Sequence, residues 1–234
     1  VILNMINPSI FKSKLSIPEV TVQSPELLYL SIGTLISGDP EIQGRGDNIS
    51  SSTYQYGVPL IKQNDPRWAT YPYACMNIGS AGCGIASYAM VIAYFNNIPD
   101  MDDNWKNLIT ELADYSMNKG HGSCQYGTSH SLFTDPHILN KYNLTVTPIG
   151  ANPEKAIQAL ANGSIIIAGM KGGGDCSYFS PLAAGHIIVI VGYKDEKFLI
   201  NDPGPLNIKE ASYNQLKNCV IAMFAYNNSI KIFK

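Results

Sequence analysis

No Cys-x-x-Cys pair occurs anywhere in the 234 residues, which removes zinc ribbons and thioredoxin-type redox sites from consideration. There is no run of lysine and arginine, and the net charge is -2, so neither nucleic acid nor an anionic membrane is an expected partner. Long apolar stretches are missing too. The longest, Leu182 to Tyr193, is too short to span a bilayer and contains His186, so no transmembrane segment is expected. Gly172-Gly173-Gly174 lacks the Gly-Lys-Ser/Thr ending of a phosphate loop and runs into Asp175-Cys176. It reads instead as a flexible wall of a cleft or a plain surface loop. No secretory signal is visible and the chain opens on Val1, which leads to the expectation of a removed leader and a place outside the cell or at its surface.

What is present is enough apolar residue, 45%, for a large core. Five cysteines (Cys75, Cys83, Cys124, Cys176, Cys219) cannot all pair within one chain. At least one thiol is therefore free, with Cys83 the best candidate, and the other four are expected to be reduced, small core residues.

Residues 1–57 read as an N-terminal extension rich in Ser, Pro and Gly, with strand-like stretches at Val20–Val22 and Leu27–Ile36. A long loop from Gly38 to Ser52 holds Arg45-Gly46-Asp47, read as a chance tripeptide. The compact domain is placed at 58–234, opening with a short strand at Val58–Ile61. Helices are predicted from Cys83 to about Phe95, from Asp103 to Asn118, from Ser129 to Lys141 despite Pro136, and from Pro153 to Ala161. Strands are predicted at Ile165–Met170, His186–Tyr193, Phe198–Asn201 and Val220–Tyr226, with a final edge at Ile230–Phe233. Helices first and strands later give an α+β fold, a central buried helix packed on a mostly antiparallel sheet.

The run Gly82-Cys83-Gly84-Ile85-Ala86-Ser87-Tyr88-Ala89 sets a cysteine at the mouth of a helix that is apolar almost all round. The positive end of the helix and its unpaired N–H groups favour a thiolate there and suit the oxyanion formed when sulfur attacks a carbonyl. A cysteine nucleophile also needs a base and a group to orient it. His186, after Ala183-Ala184-Gly185 and at the start of a rigid strand, is the expected base. A turn at Lys194-Asp195-Glu196-Lys197 folds this strand against Phe198–Asp202, which brings Asp202 within two or three positions of His186. Asn201 is the alternative orienter, and alternation allows only one of the two to face the imidazole. His130 is the reserve base, with surface or capping roles the commoner fate for both His130 and His137. His121, in an expected exposed loop, makes too few zinc ligands with Cys124. Gln63 is the expected oxyanion donor beside the Cys83 N–H, with Asn77 as runner-up.

Gln63, the stretch IGSAGCGIASYAMVIAYF, the stretch AAGHIIVIVGY and NDPG at Asn201–Gly204 together resemble the C-39-like peptidases of the papain superfamily. The resemblance runs from about Val58 to Phe224. It implies a papain-like cysteine peptidase fold, with Cys83 as nucleophile, His186 as base, Asp202 as orienter and Gln63 as oxyanion donor. It implies no cofactor and no metal, and a protein, peptide or cell-wall peptide as substrate. In leader-processing relatives the glutamine lies close before the cysteine, whereas here residues 67–79 intervene. The rival readings are a peptidoglycan amidase or endopeptidase of NlpC or CHAP type and a non-catalytic peptide-binding module.

Overall fold

The computed structural model describes residues 54–55, 57–181 and 184–229. Most of the expected N-terminal extension, with Arg45-Gly46-Asp47, and the expected edge at Ile230–Phe233 lie outside the described residues. Two small hairpins open the chain, β1 (Tyr54–Gln55) with β2 (Val58–Pro59) and β3 (Pro72–Tyr73) with β4 (Met76–Asn77). A short helix α1 (Ile78–Ala81) precedes the long helix α2 (Cys83–Asn96), with Gly82 between them. Helix α3 (Asn104–Asn118) is followed by a third hairpin, β5 (Gly122–Ser123) with β6 (Gly127–Thr128). A 3-10 turn at His130–Thr134 then leads to α4 (Pro136–Lys141). The remainder is mostly strand: β7 (Leu144–Pro148), α5 (Pro153–Ala161), β8 (Ile165–Met170), β9 (His186–Lys194), β10 (Lys197–Asn201), β11 (Glu210–Ser212), α6 (Tyr213–Cys219) and β12 (Val220–Asn228). Strands β7 to β12 form one sheet in the order β11-β10-β9-β8-β12-β7, every neighbouring pair antiparallel.

Both faces of this sheet are covered, and strand alternation sorts the side chains between them. Ile165 and Ile167 of β8 and Ile187, Val189 and Val191 of β9 pack against α2. Ile166, Ala168, Met170, Ile188 and Ile190 face the opposite layer, with Ala156 of α5 and Leu216 of α6. This two-sided burial explains why β8 and β9 are continuous apolar runs. Helix α2 is buried from Gly84 to Ala93 because no polar face is needed between the sheet on one side and α3 on the other. It stops at Asn97, which adopts the left-handed conformation (φ 51°) and returns its N–H to Ala93 and Tyr94.

The α+β arrangement matches the expected class, and two local expectations are corrected. The single helix from Ser129 to Lys141 is broken. Pro136 has no N–H to continue the preceding turn, and Asp135, extended at φ -65° and ψ 119°, caps a new helix through the N–H groups of His137 and Ile138. The four other cysteines are not reduced core residues but disulfides, Cys75–Cys124 and Cys176–Cys219, with Cys75 and Cys124 both exposed. Helix α6, absent from the sequence reading, carries a capping box between Ser212 and Gln215 that the Ser-x-x-Gln spacing could have revealed.

The Cys176–Cys219 bridge closes a separation of 43 residues. Replacing both cysteines by alanine is expected to cost about 2–4 kcal/mol in urea unfolding; an unchanged unfolding midpoint would contradict a bridge in the folded protein.

Candidate active site

Helix α2 begins at Cys83 without a side-chain cap, since Gly82 has none to offer. The first-turn N–H groups of such a helix have no intrahelical acceptors and point into the space beyond its end. Cys83 is half-buried and is the one free thiol among the described residues. One turn further on, the buried Ser87 hydroxyl donates to the Ile187 carbonyl at 3.3 Å. That bond ties the helix carrying Cys83 to the strand carrying His186.

His186 opens β9 and is held by a side-chain hydrogen bond to Asp202. Its Nε2 lies 2.7 Å from Asp202 Oδ1, and Cys83 is near enough to the ring to act on its ionisation. With Nε2 taken by the carboxylate, Nδ1 is the nitrogen left to face the sulfur. Asp202 has a side chain wholly withdrawn from water. It accepts N–H bonds from Gly204 at 2.7 Å and from Ile208 at 2.9 Å. Gly204 also sits beneath the imidazole, where a Cβ would come within 2.8 Å of His186 Cε1, so no larger residue fits without moving the ring.

The choice between Asp202 and Asn201 is made by a bulge. Lys197 to Leu199 pair with Lys194 to Gly192, but Ile200 pairs with Ile190, leaving Val191 as an extra residue in β9. Continued past this shift, the register sets Asp202 opposite Ile188, on the face that His186 shares. Without the shift Asn201 would hold that face. Asn201 is instead turned toward β2, donating to the carbonyls of Val58 at 3.0 Å and Pro59 at 3.3 Å. The alternative orienter is therefore excluded.

Opposing effects set the ionisation of this pair. Burial alone would lower the pKa of His186, yet hydrogen bonds to Asp202 and Cys83, with the charges of both, raise it to about 9. Burial likewise works to raise the pKa of Asp202, but the His186 hydrogen bond and charge, and the N–H groups of Ile208 and Gly204, hold it below the ordinary carboxylate value.

Gln63 is buried, and its backbone N–H bonds the Pro203 carbonyl at 2.9 Å. Its Nε2 donates to the Gly79 carbonyl at 2.8 Å, so the intervening residues 67–79 fold back and return the chain to the glutamine. One amide hydrogen is thus used, while Oε1 has no partner. Asn77, the runner-up, caps α1 by accepting from the Ser80 N–H at 3.0 Å. Lys62 escaped the sequence reading. Its Nζ bonds the carbonyls of Asp202, at 2.9 Å, and Gly204, clamping the turn that carries the carboxylate. Nothing in an isolated lysine signals such a role.

Three further expectations change. His121 is half-buried, not in an open loop, with Ser131 Oγ at 2.8 Å and Asp135 Oδ2 at 3.0 Å. His130 packs on Phe133 and Phe224 and lines the cleft beside Cys83. Gly172-Gly173-Gly174 is not a cleft wall among the described residues; Gly174 starts a 3-10 turn anchored by the Cys176–Cys219 bridge on the far face of the sheet. The cleft itself has a volume of about 510 Å³ and is open at Cys83 and His186. Among the described residues no group of three or more His, Cys, Asp or Glu side chains gathers as a metal site, and no helix is long and apolar enough to cross a membrane.

The family model described as "Peptidase_C39 like family" matches residues 55–228. A crystal structure described as a C39-like peptidase from Bacillus anthracis is 16% identical, at a TM-score of 0.47 over 75% of this chain and 96% of that one. The peptidase domain of Streptococcus ComA, a bi-functional ABC transporter involved in quorum sensing, is 17% identical at a TM-score of 0.43, covering 63% of this chain and 90% of that one. A double-glycine-motif protease from an AMS/PCAT transporter, solved with a leader peptide, is 19% identical at a TM-score of 0.42, covering 73% and 92%. No curated protein matches the chain.

The ionisation of His186 can be read directly by NMR. A midpoint near pH 9 is expected in the intact protein. Asp202→Asn removes one of the charges that raise it, leaving burial to dominate, so the midpoint moves down; an unmoved midpoint would break the assignment of cause.

Proposed function

Because the chain belongs to the Peptidase_C39 like family, we propose that it is a cysteine peptidase that hydrolyses peptide bonds through an acyl-enzyme on Cys83. The observation that carries this reading is that Cys83 and His186 line one cleft, with His186 hydrogen-bonded to the buried Asp202 behind it. The reacting form is the Cys83 thiolate paired with the His186 imidazolium, and the sulfur attacks the amide carbonyl. The oxyanion is held by the Cys83 N–H and by the second amide hydrogen of Gln63. His186 then protonates the leaving amine as the C–N bond breaks. A water that loses its proton to His186 attacks the thioester, releasing the acid and restoring the thiolate. Asp202 keeps the imidazole in one orientation and stabilises its charged form throughout.

An amidase or endopeptidase acting on wall peptides would use the same relay, so the reaction class is common to both enzyme readings. The two disulfides support a further part of the proposal, that the protein works in an oxidising compartment outside the cytoplasm.

Cys83→Ala is expected to abolish hydrolysis of a peptide substrate while the thermal transition is retained. Gln63→Ala should lower turnover by about 10²–10³ if its amide serves the oxyanion. Since the raised pKa of His186 keeps it protonated through neutral pH, activity should fall on the alkaline side near pH 9. Iodoacetamide should modify Cys83 alone. Equal labelling of all five cysteines, or hydrolysis that survives Cys83→Ala, would defeat the reading.

A further inference from the structure

Among the described residues that line the cleft there is no Asp, Glu, Lys or Arg. Of its two imidazoles, His186 is already paired with Asp202, and burial pushes the pKa of His130 below the ordinary value. The walls instead carry large apolar side chains left open to water: Tyr126 is 74% exposed, Met76 54% and Ile221 51%. Three such groups around one opening form the kind of surface that covers itself with a partner.

Two separate devices put them there. The Cys75–Cys124 disulfide ties the residue before Met76 to the β5–β6 hairpin, whose tip holds Tyr126, so both side chains belong to one cross-linked wall. On the opposite wall β12 departs from regular pairing. Val220 pairs with Met170 and Ala222 with Gly169, leaving Ile221 as the extra residue of a bulge. A bulge takes a side chain out of strand alternation and re-aims it. Here it delivers an isoleucine to the cleft beside Cys83.

We propose that this part of the cleft is an apolar subsite, and that the substrate is a polypeptide segment with a large uncharged side chain within two residues of the scissile carbonyl. The proposal rests on the peptidase reading and names its substrate class. An apolar side chain seated between Tyr126, Met76 and Ile221 leaves water on both sides of the contact. A Lys in the same place loses hydration and meets no opposite charge, and an Asp meets only a His186 imidazolium that Asp202 already pairs. Wall stem peptides rich in carboxylates and amines are therefore poor occupants.

The test uses the full chain and fluorescein-labelled octapeptides in which Leu, Phe, Asp or Lys replaces each position in turn. Hydrolysis is followed with the unaltered protein and binding, by anisotropy, with Cys83→Ala. At one position next to the cleaved bond Leu and Phe should exceed Asp and Lys by about tenfold or more in both kcat/KM and Kd. Ile221→Asp and, separately, Tyr126→Ala should erase that preference while preferences at remote positions stay. Selective binding of Leu and Phe peptides without hydrolysis by the unaltered protein would keep the subsite and overturn the peptidase reading. Hydrolysis with equal use of the four residues, a preference indifferent to both substitutions, or no binding at all would overturn the subsite.

Discussion

A carboxylate with no exposed side-chain surface, set against an imidazole, is the constraint around which this end of the molecule is arranged. Taking such ions out of water costs several kcal/mol each, and their attraction at about 4 Å in protein surroundings returns roughly 4 kcal/mol. The pair does not balance by itself. The N–H groups of Gly204 and Ile208 add to that attraction, bonding Oδ1 and Oδ2 of Asp202 respectively. Those bonds require the chain after β10 to curl around the carboxylate. The curl is in turn held from outside by Lys62 on the carbonyls of Asp202 and Gly204, by the Gln63 N–H on Pro203, and by Asn201 on β2. Residues 58–63 therefore act as a strap that holds this turn at several points.

The bulge at Val191 gives that turn its chemistry. A one-residue slip in an antiparallel pair exchanges the two faces of the strand. In the unshifted register the amide of Asn201 would meet the imidazole and Asp202 would be directed to the helix side. A neutral amide can orient a ring but adds no charge to favour its protonated form. The carboxylate does both, and the raised pKa of His186 follows from its presence.

This is also where the reading of the sequence reached its limit. The position of Cys83 at a helix mouth, of His186 at a strand start and of Asp202 before Pro203-Gly204 was legible, because each is marked by its immediate neighbours. The hairpin placed Asp202 within reach, but the decision between adjacent residues lay in a bulge that no local residue type announces. The disulfides were missed for a related reason. Cys75 and Cys124 are separated by 49 residues, and only the return of the β5–β6 hairpin toward β4 brings them together. The break before Pro136 was legible in principle from Asp135-Pro136, an N-cap followed by a first-turn proline, and was overridden by the apolar spacing around it.

Charge is distributed in the molecule in a way that bears on the non-catalytic reading. The cleft at Cys83 holds no carboxylate, ammonium or guanidinium among its described residues, while behind it His186 and Asp202 form a largely buried ionic pair. A surface that only held a peptide would gain nothing from that pair, since replacing a buried ion pair with well-packed apolar groups is often neutral or stabilising. The pair makes sense if the imidazole must carry a proton at one moment and release it at another, in the cleft that Cys83 also lines. A cleft with no charge outside Cys83 and His186 completes the logic. With no competing charge near the opening, the electrostatics felt by a bound carbonyl are those of the helix end, the sulfur and the imidazole, which are the groups that attack on it would use.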